Sequence, residues 1–269
     1  MPENDFQIPR RRIELDPDAV APPAWAPFVE LGLMSCFSFL RGASDAVDLV
    51  LAAHALGYDT IAIADANTMA GVVRIHTEAK KLRLRPLIGC RIETVEGLAF
   101  LAYPVDRAAY GRLCRLISAG RMSTLGGEWQ DKGACEISLA MLAAHADGVQ
   151  LILLPPRDLE QGFAIEVPSN VIPLPGLGSH EDMKTRSGTG GDNPARFVSS
   201  CEKQFTFADT LPHLVRQLPT LRHLAASYLY GEDDIARIER LDALAKANGL
   251  KLLATNDVHY HLPERRPLQ

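Results

Sequence analysis

Residues 28–74 read FVELGLMSCFSFLRGASDAVDLVLAAHALGYDTIAIADANTMAGVVR, and the order of signals within them decides the fold. The apolar run Phe28–Met34 predicts a first strand. A Gly-Ala-Ser turn follows, with Ser44 placed to cap a helix whose apolar residues Val47, Val50, Leu51 and Ala55 recur at helical spacing. Gly57 supplies the helix stop. Thr60–Ala64 is a short, wholly apolar run with Asp65 at its tip, the pattern of a parallel strand buried on both faces. Met69–Leu84 then predicts a second helix with a basic outer face of Arg74, Lys80, Lys81 and Arg83. A strand–helix–strand–helix start with an acid at a strand tip predicts an α/β barrel-like enzyme with its site at the C-terminal strand ends.

Working outward, Pro86–Thr94 and Leu98–Val105 alternate as two strands joined at Glu96-Gly97, a hairpin signal. Asp106 caps a helix reaching about Met122, Ser138–Ala146 is helical, and Val149–Leu154 is an apolar strand ended by Pro155-Pro156. Pro168–Pro194 holds four Pro and five Gly among Ser, Thr, Asp and Asn, the composition of a long irregular insertion. Helices are predicted over Leu211–Tyr230 and Asp233–Asn248, the latter with Ile235, Ile238, Leu241, Leu244 and Ala245 on one face. A last strand, Leu250–Thr255, runs into Asn256-Asp257-Val258-His259-Tyr260-His261. Residues 1–24 are polar and Pro-rich and read as a loose tail, so one large domain over 25–269 is expected.

The 269 residues carry a net charge of −5, which gives no electrostatic support to a free-standing nucleic-acid binder, and no nucleic-acid-binding residues stand out. The charge-rich Pro263–Pro267 reads as a solvated connector. Five scattered cysteines with no C-x-x-C pair predict reduced thiols in a cytoplasmic protein. No apolar run follows Arg10-Arg11-Arg12, so no signal peptide is expected, and no stretch of about 18 apolar residues predicts a membrane span.

A metal or acid–base site needs side chains converging from several strand ends. Two predicted strands end suitably, one in Asp65 and one in Asp257 and His259, and on extended chain Asp257, His259 and His261 share a face. His54 reads as a partly buried helix residue and His76 as helix surface, His145, His180, His213 and His223 read as isolated from any acid at ligand spacing, and no nucleophile elbow, P-loop or dinucleotide fingerprint occurs.

These segments, with FSFLRGAS, NTMAGVVR, YPVDRAAYGRLCRLIS and ATNDVHYHLPERRPLQ, resemble the PHP (polymerase and histidinol phosphatase) domain of the bacterial C-family DNA polymerases, and most of all its error-prone branch. The likeness covers about Trp25–Met122 and Leu221–Gln269. It implies a PHP-type distorted (β/α)7 barrel with a long irregular insertion. It also implies which metal ligands this chain has lost. The family opens with His-x-His on the first strand, where Gly32-Leu33-Met34 stands. It continues with Asp-His-Asp, where Asp65-Ala66-Asn67 stands, and wants a Glu after the Ile-Gly of the next strand, where Arg91 stands. Gly32, Met34, Ala66 and Arg91 are thus lost ligand positions, and Asp65, Asp257 and His259 a vestigial set holding at most one weakly bound Zn, Mn or Mg ion. No other cofactor is implied. Arg91 is expected to act as the missing counter-charge, paired with Asp65 or Asp257.

By resemblance, the function is that of the N-terminal platform of a polymerase synthesising DNA across lesions, in the cytoplasm, with a sliding clamp and accessory mutagenesis proteins as partners. The palm, thumb and fingers, with the nucleotidyl-transfer carboxylates, follow the PHP domain in that family and are absent from these residues. Two other readings stand beside it: a residual metal-dependent phosphoesterase or 3′–5′ exonuclease, and a stand-alone remnant or partner-binding module.

Overall fold

The computed structural model describes residues 28–165, 204–231 and 233–268. The tail over 1–24 and the insertion over 168–194 lie outside the described residues. The chain runs α1 (Ala46–Ala55), β1 (Thr60–Ala66), α2 (Val72–Lys81), β2 (Arg85–Glu93), β3 (Ala99–Pro104), α3 (Arg107–Met122), α4 (Leu139–His145), β4 (Val149–Leu154), β5 (Phe163–Ala164), β6 (Gln204–Phe205), α5 (Phe207–Gln217), β7 (Leu221–Ala226), α6 (Asp234–Ala247) and β8 (Lys251–Ala254), then a 3-10 turn over Pro263–Leu268.

The main sheet has the order β1-β2-β3-β4-β7-β8. β1–β2, β4–β7 and β7–β8 are parallel, and β3 runs antiparallel to both its neighbours. The turn between β2 and β3 falls where Glu96-Gly97 places it, with Gly97 at φ 85°, a backbone conformation that glycine adopts without strain. The sheet curls. Ala64 of β1, Leu101 of β3, Ile152 of β4 and Ala225 of β7 form one buried cluster, with Leu31, Tyr103 and Leu253 against it, although β1 and β7 are not sheet neighbours. Only a strongly curled sheet brings them together. The architecture is a distorted (β/α) barrel.

The closing stave is not a regular strand. Phe28–Met34 carries no ladder; its contacts are single bonds, Ala64 N to Leu33 O at 2.8 Å on one side and Met34 N to Val258 O at 2.9 Å on the other. The expected first strand is therefore corrected to an extended segment. Gly32 N turns to the Glu30 carboxylate at 2.6 Å instead of to a neighbouring backbone, which breaks the ladder. Across the lumen, Tyr103 donates to Leu31 O at 2.5 Å. Its ring stands where a Cβ on Gly89 would be, 2.5 Å from the nearest ring atom, so β2 contributes a glycine to make room.

Helix α1 starts one residue later than the sequence suggests. Asp45, not Ser44, caps it by accepting from Val47 N at 3.0 Å, and its buried face is Ala46, Leu49, Val50 and Ala53. Asp106 caps α3 as read from the sequence, whereas Ser138, expected as the first residue of its helix, is the cap of α4. Of the apolar face expected on α6, Leu241 and Ala245 are buried but Ile235 is exposed. The single helix expected over Leu211–Tyr230 is overturned. It divides into α5 and the strand β7 around Pro219-Thr220. Leu221, Leu224 and Ala225 have helical spacing, but pairing between β4 and β8 extends the segment and buries it. The described cysteines are free thiols, and no helix of the described residues is long and apolar enough to cross a membrane.

Candidate functional site at the strand ends

The C-terminal ends of β1, β2, β7 and β8 converge on one mouth of the barrel. β2 sends Arg91 and Glu93 to the same face, since side chains two apart on a strand point together. Arg91 Nη1 lies 2.8 Å from Asp257 Oδ1, just past β8, and Arg91 Nε lies 3.3 Å from Glu93 Oε1. Glu93 in turn accepts from Arg41 of the loop before α1. Asp257 Oδ2 lies 3.4 Å from His259 Nε2, and His259 Nδ1 lies 3.3 Å from the Arg41 carbonyl oxygen. The sequence Arg41–Glu93–Arg91–Asp257–His259 thus returns to Arg41 as a closed polar ring. It joins three stretches of chain far apart in sequence: residue 41, residues 91 and 93, and residues 257 and 259.

The ring is partly shielded: the Arg91 side chain is 15 % exposed and that of Asp257 35 %. Burial would raise the Asp257 pKa, but the hydrogen bond with His259 and the Arg91 charge together outweigh it and hold the carboxyl below its ordinary value. Asp257 sits at φ 49°, in the left-handed region that a non-glycine residue occupies only when its surroundings over-determine it. Asn67, just past the end of β1, is also in this region at φ 48°, and its side chain brackets the Glu93 backbone, accepting from Glu93 N at 3.0 Å and donating to Glu93 O at 3.2 Å.

Asp65 is held apart from this ring. Its Oδ1 accepts from Ser35 N at 2.8 Å and Ser38 Oγ at 2.6 Å, and its Oδ2 from Ser35 Oγ at 2.8 Å. The side chain is 1 % exposed by residue, and burial pushes its pKa up in spite of the serine hydrogen bonds. Of the two carboxylates open to Arg91, the structure pairs it with Asp257. The expected trio is therefore split: Asp257 and His259 are in contact, whereas Asp65 is saturated by serines. His261 belongs to neither, bonding Ser44 Oγ through Nδ1 at 2.7 Å.

The four positions expected from the family resemblance to have lost a ligand can be read individually. A Cβ on Gly32 would fall 2.7 Å from Thr255 Oγ1 and 3.2 Å from Asp257 Cα, so an imidazole does not fit there as the backbone stands. Met34 is fully buried and offers a thioether that suits soft ions only. Ala66 has no donor, and Arg91 brings a positive charge against Asp257. Among the described residues no group of three or more His, Cys, Asp or Glu is placed to hold a metal ion. These residues do not fit a polynuclear metal centre.

Glu30, Ser35, Ser38, Arg41 and Glu93 all escape a reading of the sequence. Glu30 is buried and accepts from Gly32 N at 2.6 Å, Thr255 Oγ1 at 2.5 Å and Asn256 N at 2.6 Å, clasping the first described segment to the last. Ser35 and Ser38 have no signal beyond proximity to the mouth. Glu93 had one: it lies two residues from Arg91 on a predicted strand.

The family model for the PHP domain matches residues 30–164. Curated relatives include an error-prone DNA polymerase of Caulobacter vibrioides, 36% identical over 252 residues, and one of Rhodopseudomonas palustris, 36% identical over 260 residues. The matches take in 92% and 90% of this chain but only 18% and 21% of those polymerases. Among solved structures, a protein described as a metal-dependent phosphoesterase from Bifidobacterium adolescentis superposes with a TM-score of 0.53 at 15% identity, covering 88% of this chain and 89% of that one. An amidohydrolase from Chromobacterium violaceum, with sulfate bound and no metal, superposes with a TM-score of 0.53 at 11% identity, covering 87% and 88%.

Proposed function

Because this chain belongs to the PHP-domain family, we propose that it serves as the metal-independent PHP platform of an error-prone DNA polymerase. The observation that carries this reading is the Arg91–Asp257 ion pair inside the closed ring at the mouth. A guanidinium occupies the electrostatic role that a cation would play between acids, so the mouth is neutralised by the chain's own residues. Asp65, Asp257 and His259 are on this reading a vestigial ligand set put to structural use. The polymerase reading brings with it lesion-tolerant DNA synthesis in the cytoplasm, contact with DNA through the longer polypeptide, and a sliding clamp and accessory mutagenesis proteins as partners. Nucleotidyl transfer would lie elsewhere in that polypeptide.

An antibody raised against this domain tests the proposal on the native protein. A polypeptide several-fold heavier than 29.4 kDa, as in the relatives, is expected; a native mass of 29.4 kDa overturns the polymerase reading. Hydrolysis of a phosphodiester or a 3′ DNA end by the pure chain in Mn or Zn, lost in Asp257→Asn, would instead establish the phosphoesterase.

A further inference from the structure

The loop between the first segment and α1 is built more firmly than a connector needs to be. Ser35 and Ser38 anchor it to Asp65 through three side-chain and backbone donors, and Ser38 Oγ also accepts from Ala66 N at 3.0 Å. Within it, Ser38 N donates to Ser35 O at 2.9 Å, and both Arg41 N and Gly42 N return to Ser38 O. Cys36 N donates to Ser44 O at 2.8 Å and Ala43 N to His259 O at 2.8 Å, which close the neck. A Cβ on Gly42 would fall 1.9 Å from Ser35 O, so only glycine passes there. Arg41 ties the far side to Glu93.

This scaffold displays two adjacent apolar side chains. Phe39 is 84% and Leu40 73% exposed, and Leu40 sits at φ 59°. Single exposed apolar residues are ordinary, but a leucine held in the left-handed region costs conformational energy that burial here does not return. A rigid, strained tip with an apolar pair is the geometry of a docking anchor, because little ordering entropy is lost when it seats.

Its occupant is suggested by the surroundings. The residues following β8 lie against this loop: His261 bonds Ser44, Arg265 Nη2 is 3.8 Å from Asp48 at the start of α1, and Leu262 between them is half-exposed. In the relatives, the matched region is about a fifth of the polypeptide, so a large body of protein shares the molecule with this mouth. We infer that Phe39 and Leu40 form a preorganised knob that seats in an apolar socket on the rest of a polymerase polypeptide. Asp65, a ligand position in the family, here builds the base of that knob. The inference rests on the polymerase reading above. The chain's net charge of −5 disfavours single-stranded DNA as the occupant.

Cys36, exposed and three residues from Phe39, is a native reporter. Its maleimide labelling is followed by peptide mapping in the 269-residue chain and in the full native polypeptide, each wild type and as Phe39→Ser with Leu40→Asn. The expected result is at least tenfold slower labelling in the long polypeptide, with the fast rate restored by the double substitution. In the 269-residue chain the substitution should leave labelling fast and raise the melting temperature by about 2–4 °C, since asparagine tolerates the left-handed conformation. Equal labelling of the two wild-type forms, or protection that survives the substitution, overturns the knob. Slow labelling in the 269-residue chain also overturns it, since the chain's own residues would then cover the tip. A native mass of 29.4 kDa removes the polymerase reading and the knob's partner together, whereas equal labelling in a long polypeptide refutes the knob alone.

Discussion

Replacing Arg91 by Ala tests the ring at its centre. The substitution leaves Asp257 beside His259 and leaves Glu93 with Arg41. Breaking a fully buried ion pair costs about 3–5 kcal/mol and an exposed one about 0–1 kcal/mol. With Arg91 15% and Asp257 35% exposed, the site lies between these limits, and a loss of about 2 kcal/mol is expected. In a chain of this size that corresponds to a fall in melting temperature of about 4–8 °C. The pH dependence gives a second, sharper signature. The Asp257 carboxyl is held below its ordinary value in the folded chain, so its contribution is fully present above the unfolded pKa of about 4 and is lost as pH falls through the folded value. Calorimetric melts of wild type and Arg91→Ala should therefore differ by a constant amount above about pH 5 and converge below about pH 4. A double-mutant cycle with Asp257→Asn isolates the pair. An unchanged melting temperature at neutral pH, or a gap as large in acid as at neutrality, would refute the reasoning.

Three further expectations concern the rest of the mouth. Glu30→Ala strips acceptors from Gly32 N, Thr255 Oγ1 and Asn256 N, and should cost about 3 kcal/mol in chemical denaturation; a loss under about 1 kcal/mol would show that water replaces the clasp. Asp65→Asn keeps one acceptor and removes a buried charge whose pKa is raised, so it should be nearly neutral, whereas Asp65→Ala should lose about 2–4 kcal/mol; if Asn is as damaging as Ala, the carboxylate is needed as a charge. The raised pKa also means that the wild-type advantage of Asp65 declines as pH rises from about 4 through the folded value, a trend that Asp65→Asn should flatten. Finally, adding EDTA, Mn or Zn should move the melting temperature by less than about 1 °C, because stabilisation by a ligand requires a site that binds it in the folded state; a rise of several degrees with one metal would mean that the ring opens to accept it.

The barrel class, the hairpin at Glu96-Gly97 and the cap at Asp106 were legible because each depends on local chemistry: apolar runs, turn glycines and a side chain that reaches its own backbone. Gly32, Met34, Ala66 and Arg91 offer no imidazole or carboxylate, which residue type alone shows; that they stand at ligand positions is what the family resemblance implies. The sequence could narrow the partner of Arg91 to two acids but could not choose between them. The choice belongs to the tertiary structure: Ser35 and Ser38 engage Asp65 across about thirty residues of chain, leaving Asp257 to the guanidinium. The same holds for β7, whose helix-like spacing yields to two flanking strands, and for Glu30, whose partners lie 225 and 226 residues away. Periodicity and capping are encoded within a few residues; which buried acid meets which donor depends on how the strand ends converge, and only the tertiary structure settles that.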